Sequence, residues 1–390
     1  MTSRECILAI FEGKKAEKIP WIPLCSRTFF LSMPEYRKKF RPMSPAGSQP
    51  GLSKELIWKE LEFRIKFYQK IGADFMDWGG GWKEGKEYTV EKEEKTNVKI
   101  IQKIKNDKFI DIYETPVGTL KQEFVFSDNK STVFACAPLL KNKEDYKVYK
   151  YILESSIISR PNYEKSKKWL DIAGESGVIF RAGPIAPIQE WIFTVLGIEG
   201  VIYGLTDHRA ELEELIKLQH RRNLEICRIL SRSPLRIFLN AGVIGTGEIS
   251  PSIFEDYYLP YLKEYSRILR EGNKIYIGHA SGEPIRPILS LVEEINLFGM
   301  YGFVSPPPKG DLPLPELCKR WEGKSVVMGG LDPNFLYTAS VNQVKEKTKK
   351  ILEEVKPFSN FILGTADDVV YGTPIRSLEA VSSVVRDFVR

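Results

Sequence analysis

Residues 275–284 read IYIGHASGEP: an apolar run closes on His279, and a serine and a glycine follow within three positions. A histidine that ends a buried strand carries its imidazole to the strand's tip, where it can move a proton or bind a metal. The same pattern, an apolar run followed at once by polar or charged residues, recurs along the chain. The run 18–24 leads to Cys25, Arg27 and then Glu35-Tyr36-Arg37. The run 73–79 contains Asp77 and Trp78 and passes into the glycines 79–81. Arg181 sits in 177–183, Asn240 near the end of 235–242 with Glu248 beyond it, and Ser305 at the end of 299–305. Asp332 follows 324–330, and Thr365, Asp367 and Asp368 lie at the end of 360–366 or just after it. Arginines, a histidine and several carboxylates brought to one place suit an anionic substrate, a metal, or both. The chain has three histidines. His208 and His220 fall in a charged helical stretch and read as solvent-facing, which argues against a three-histidine metal centre.

These residues converge only if the runs that carry them lie side by side. The runs are KIPWIPL (18–24), ADFMDWG (73–79), GVIFRAG (177–183), LRIFLNAG (235–242), KIYIGH (274–279), GMYGFVS (299–305), KSVVMGG (324–330) and NFILGTA (360–366). Their centres are apolar without alternation, as in strands buried on both faces of a parallel sheet. Helical segments lie between them. Ser53 precedes one, Asp207 precedes a long run to about Ser231, Ser250-Pro251 opens another that ends at Gly272, and Pro374 opens the last. Eight such units predict a (β/α)8 TIM barrel, whose sites lie on the loops leaving the C-terminal ends of the strands. An open doubly wound sheet is the alternative, but no GxGxxG turn follows the first strand. Residues 86–135 break the rhythm. They are rich in Thr, Val, Ile and Lys, with turn pairs Asn106-Asp107 and Val117-Gly118, and predict an antiparallel β insertion after the second strand that covers or flanks the barrel mouth. The whole of 1–390 then reads as one barrel domain.

Composition narrows the function class. The chain has 390 residues, 43% hydrophobic and 28% charged, with 57 basic against 51 acidic residues for a formal net charge of +6. That is ordinary globular composition, and no block of like charge is long enough for a nucleic-acid arm. No run of about eighteen apolar residues suggests a membrane span, and the opening MTSRECILAIFEGKK has no signal-peptide pattern. Five dispersed cysteines without a CxxC pair fit a reduced, cytoplasmic protein.

Longer motifs add a family. The opening MTSRECILAIFEGKKAEKIPW, the segment CSRTFFLSMPEYRKKF, the helix ISPSIFEDYYLPYLKEY, the turn HASG and the tail FILGTADDVVYGTPIRSLEAV together resemble the uroporphyrinogen decarboxylase superfamily. In that family the corresponding signatures are RQAGRYxPEYR, SPxxFxxFxLPY and HxCG. PPPKGDLPLPEL is similar to a divergent branch, and the superfamily also contains corrinoid-dependent methyltransferases. The resemblance covers essentially the whole chain. It implies a decarboxylase site in which first-loop arginines and an aspartate after the second strand hold an acetate-bearing tetrapyrrole. Arg27 and Arg37 match the arginines, Leu31 stands in place of another, and Asp77 lies near the aspartate but is followed by GGGW. Losing charge partners on both sides removes electrostatic preorganisation that such a reaction needs. The methyltransferase branch implies a zinc-thiolate site of His-x-Cys plus a cysteine after the last strand. Here His279 stands, Ser281 replaces the first cysteine and Asp367 falls at about the second. The resemblance thus implies His279, Asp367 and Glu248 as donors to zinc or another divalent metal, a nitrogen–oxygen set suited to activating an oxygen.

The leading expectation is a methyltransferase moving a methyl group between a small substrate and a separate corrinoid protein, with cobalamin supplied only by that partner. The alternatives are a decarboxylase of uroporphyrinogen or another polycarboxylate, and a non-catalytic barrel that binds a small molecule. His279, Asp367 and Arg27 are the expected catalytic residues. Arg27, Arg37, Asp77, Trp78, Arg181 and Asn240 are the expected substrate contacts. Each has a plainer reading: a satisfied strand-end histidine, Asp367 or Glu248 capping a helix, or Arg27 paired with Glu35. Trp78, Trp82, Phe29, Phe30 and Trp191 line a pocket for a flat substrate or belong to the core. The cysteines read as packing or surface, no nucleic-acid or membrane partner is expected, and the oligomeric state is open.

Overall fold

A computed structural model describes residues 1–40, 44–46, 49–51, 56–77, 93–105, 108–127, 132–158, 163–307 and 309–388. Each of the eight predicted runs contributes one strand of a parallel sheet. In chain order these barrel strands are β1 (Trp21–Ile22), β2 (Phe75–Asp77), β3 (Gly177–Ala182), β4 (Ile237–Val243), β5 (Ile275–His279), β6 (Gly299–Phe303), β7 (Val326–Leu331) and β8 (Phe361–Thr365). They lie in the order β1-β8-β7-β6-β5-β4-β3-β2. The two ends of the sheet meet where the Asp74 N–H donates to the Trp21 carbonyl at 2.8 Å and the Trp21 N–H donates to the Asp74 carboxylate at 3.0 Å.

The core explains why the runs do not alternate. One apolar cluster fills the barrel, with Met76, Val178, Phe180, Ile237, Leu239, Ile275, Ile277, Tyr301, Met328 and Ile362 among its members. Cys6, Ile7, Ile10 and Phe11 of the helix Ser3–Phe11 join it. A second, larger cluster lies between the strands and the surrounding helices, and takes Phe75, Ile179, Phe238, Tyr276, Met300 and Val327 from the same strands. Neighbouring residues on a strand therefore face opposite layers, both of them buried. This parity decides which strand-end side chains face the barrel interior.

The insertion after β2 is a four-stranded antiparallel sheet of Lys99–Lys105, Lys108–Thr115, Gly118–Phe126 and Val133–Ala135. The described turn between its second and third strands is Pro116-Val117, with Gly118 opening the next strand; Asn106-Asp107 lie outside the described residues. The sheet packs on the helix Lys143–Glu154, and Gln122 donates to the Thr194 carbonyl at 2.8 Å, at the end of the helix Pro187–Thr194.

Two helix readings need correction. The stretch from Ser250 to Gly272 is not one helix but two, Pro251–Tyr257 and Leu259–Glu271. Pro260 lacks the N–H that would continue the ladder. The long helix Arg209–Ser231 is preceded at its cap by His208 rather than Asp207. The helix expected after Ser53 is seen from Leu56 to Ile71, its start lying outside the described residues. Among the described residues no helix is long and apolar enough to cross a membrane.

Candidate active site

His279 closes β5 on the same parity as Ile275 and Ile277, so its ring lies on the barrel-interior side. It stacks flat on Tyr301, with ring centroids 4.3 Å apart and planes at 3°. Burial pushes the His279 pKa down, and the Asp367 charge and then the Ala241 backbone oppose this without reversing it. Asp367 Oδ2 lies 4.0 Å from His279 Nε2 and accepts a hydrogen bond from the Ser281 hydroxyl. Its Oδ1 accepts the Asp368 N–H at 2.7 Å.

The turn that carries Ser281 is tightly built. Ser281 and Gly282 have φ of 52° and 73°, and the Gly282 N–H donates to the Gly302 carbonyl at 2.7 Å. Gly302 itself has φ of 98°. A Cβ there would stand 2.6 Å from the Ser281 nitrogen and 3.1 Å from His279 Cδ2, so only glycine lets β6 approach this closely. Beside Asp367, Asp368 is pushed up to about 7, first by burial and then by the Asp367 charge, against a Ser26 hydrogen bond and the Arg64 charge. Below the Tyr301 ring the interior is apolar, with a cavity of about 20 Å³ bordered by Met76, Phe180, Met328, Ile362 and Thr365. That is room for one water at most, and it forms a floor rather than a seat.

A second charged group occupies the other layer. Asp77 and Arg181 have the opposite parity to their interior-facing neighbours Met76 and Phe180. Arg64 of the helix Leu56–Ile71 meets Asp77 Oδ1 at 2.7 Å, and Arg181 Nη1 meets Asp77 Oδ2 at 2.6 Å. The Trp169 indole donates to Asp77 Oδ2 at 2.7 Å. The chain of charges continues through Glu60, which lies 3.7 Å from both Arg64 and Arg27 and accepts the Tyr36 hydroxyl at 3.0 Å. All five charged residues are at most 3% exposed. Burial opposes the Arg64 charge, but Asp77 and Glu60 outweigh it and raise its pKa. Arg27 thus pairs with Glu60, not with Glu35 as the plainer reading had it.

The remaining expected residues scatter. Arg37 is exposed on the helix Pro34–Lys39. Asn240 is buried on the helix-facing side of β4, where it donates to Gln189 at 3.3 Å and accepts the Gly242 N–H at 3.0 Å. Glu248 is exposed, and burial of its carboxyl and then the charge of Glu283 raise its pKa; the cap of the following helix is Ser250. Trp78 and Trp82 lie outside the described residues. Phe29, Phe30 and Trp191 are fully buried core. His208 and His220 are part-buried, not solvent-facing: the His208 ring packs edge-on against Tyr146 and His220 bonds Tyr265 and Glu264 at 2.9 and 3.0 Å. Glu60, Arg64, Trp169 and Tyr301 escaped the sequence reading. Strand parity would have flagged Tyr301, and the apolar face of a helix carrying Glu60 and Arg64 would have flagged the buried pair.

A catalytic zinc takes three protein ligands. Among the described residues no three His, Cys, Asp or Glu side chains gather to hold a metal. Among the described residues the expected set of His279, Asp367 and Glu248 is therefore not gathered into one cluster.

Fold and site define a parallel (β/α)8 barrel with a polar cluster where β5, β6 and β8 end. Residues 237–388, which contain that cluster, match the uroporphyrinogen decarboxylase (URO-D) family model. Over 71 residues the chain is 38% identical to the uroporphyrinogen decarboxylases of Rickettsia massiliae (strain Mtu5) and Rickettsia rickettsii (strain Sheila Smith). The matched stretch is 18% of this chain and spans only 20% of those relatives' length. Across 100% of this chain and 99% of the other, the fold is similar to that of a methyltransferase from Methanosarcina mazei, with a TM-score of 0.62 and 14% identity. The family model thus supports the likeness to the URO-D superfamily over β4 to β8, and the likeness of fold extends over the whole barrel.

Proposed function

We propose that this chain is a uroporphyrinogen-decarboxylase-like enzyme that moves a methyl group between a small substrate and a separate corrinoid protein. The observation that carries this reading is the burial of three arginines beside two carboxylates. A polycarboxylate needs guanidiniums turned toward it, but Arg27, Arg64 and Arg181 are buried against Glu60 and Asp77. The interior side of the mouth offers instead an imidazole, a stacked phenol, Asp367 and an apolar floor. Such a lining suits a small, weakly polar molecule with one heteroatom bearing a methyl group. The fold shared with the methyltransferase from Methanosarcina mazei is consistent with it.

In this reading the partner's corrinoid supplies the cobalt centre that exchanges the methyl group, and no residue of this chain is assigned to holding it. The chain's own part is to seat the substrate over the apolar floor and to manage one proton. As the methyl–heteroatom bond breaks, the bonding electrons stay on the heteroatom, which then takes a proton. His279, Asp367, Ser281 and Asp368 are the groups placed to hold that proton and the hydrogen bond to the heteroatom.

The test is anaerobic incubation with a reduced corrinoid protein and a panel of methyl ethers and methylamines, followed by the cobalt absorption spectrum. Methylation that depends on one donor and disappears in His279→Ala, with melting unchanged, is expected. Absence of transfer from every donor, together with loss of CO2 from uroporphyrinogen, would favour decarboxylation. The family match over residues 237–388 is the observation on that second reading's side.

A further inference from the structure

We infer that His279, Asp367 and Ser281 form a polar unit with no resident zinc, the Ser281 hydroxyl taking the side of Asp367 that a metal would use. The inference deepens the methyl-transfer reading and rests on it only for what the unit is used for. Three features of the geometry support it. First, Asp367 Oδ2 already accepts the Ser281 proton, so a metal at that oxygen would have to displace the bond. Second, Nε2 and Oδ2 are 4.0 Å apart. With zinc–ligand bonds of about 2.1 Å, that gap opens the nitrogen–metal–oxygen angle to roughly 145°, far from tetrahedral. Third, the His279 ring cannot readily swing to close the angle. It lies flat on Tyr301, and its Cδ2 is against Gly302. Serine is in any case a poor zinc ligand, and the described residues supply no third donor.

The same geometry says what would restore a metal. Side chains 281 and 367 touch, and the imidazole stands beside them. Two cysteines at these positions would put two thiolates next to one imidazole, a set zinc favours, and the longer zinc–sulfur bond of about 2.3 Å relaxes the angle. The test is zinc content after incubation with zinc chloride and exhaustive dialysis, measured by elemental analysis, a readout that no activity assay enters. The wild-type chain is expected to hold no zinc above the buffer blank, and S281C/D367C about one per chain. A wild-type chain that retains about one zinc, lost in His279→Ala, would overturn the inference. So would a folded S281C/D367C that stays zinc-free, because missing thiolates would then not be the cause. If that variant does not fold, Ser281→Cys alone carries the test by competition with a chelator. Tighter zinc binding than wild type supports the inference, and equal or weaker binding overturns it. Failure here leaves methyl transfer standing, because the methylation assay is independent of metal stoichiometry.

Discussion

Asp77 and His279 are both the last residue of a strand, yet Asp77 faces the helices and His279 the barrel interior. The difference is one of parity, and it separates a structural clamp from a candidate site. Asp77→Asn keeps the shape of the side chain but leaves Arg64 and Arg181 buried without the charge they share. We expect a loss of about 3–5 kcal/mol in denaturant unfolding. If Asp77 were a substrate contact instead, its replacement would change KM and leave unfolding untouched. The histidines give a second prediction at this scale. Burial lowers the pKa of both His279 and His220 below the ordinary 6.5, and for His220 the Glu264 contact opposes this without reversing it. A folded pKa below the unfolded one means stability that is fully present above the unfolded value and lost as pH falls through the folded value. Imidazole NMR resonances assigned with His279→Asn and His220→Gln should therefore titrate below 6.5. The stability advantage of wild type over His220→Gln should shrink on acidification below that value. A His220 resonance titrating above it would contradict the packing described. The sequence made the strand ends legible, but reading every strand-end polar residue as facing the mouth ignored that both faces of these strands are buried. Asp77, Arg181 and Asn240 were grouped with His279 for that reason.

All eight strands were legible because burial on two faces leaves an unbroken apolar run between glycines, prolines and polar residues, a signal that needs no partner to be recognised. The insertion was legible for the opposite reason, since its Lys-rich, β-branched segments alternate around turns. Long-range pairing was not legible. Asp77 and Arg181 are 104 positions apart and meet only because β2 and β3 are neighbours. Glu60 and Arg64 look like an ordinary i,i+4 pair on a helix until that helix is laid against the strands. The start signal at Ser250-Pro251 and the stop at Gly272 frame the whole stretch, and the break lies between them, before Pro260. At the level of elements the approach of β6 to the turn after β5 is the most sensitive feature. Gly302→Ala forces an unfavourable φ and drives a methyl group toward Ser281 and His279. We expect a lower melting temperature and, if the proposed methyl transfer holds, a fall in its rate of at least tenfold, about 1.4 kcal/mol on the barrier. Unchanged activity would show that the His279 ring need not be held where it is.

At the scale of the molecule, the three arginines Arg27, Arg64 and Arg181 are buried beside the two carboxylates Glu60 and Asp77, so this cluster keeps an excess of one positive charge inside the protein. The shared barrel carries no chemistry by itself. Arg64, Arg181 and Asp77 meet in the helix layer, and Leu31 is buried core. The most direct measurement is an anaerobic incubation with uroporphyrinogen, with products resolved by their number of carboxyl groups. The account predicts no partially or fully decarboxylated product above an enzyme-free control. Steady formation of coproporphyrinogen would contradict it, and would mean that Asp77 and its arginines open toward the substrate.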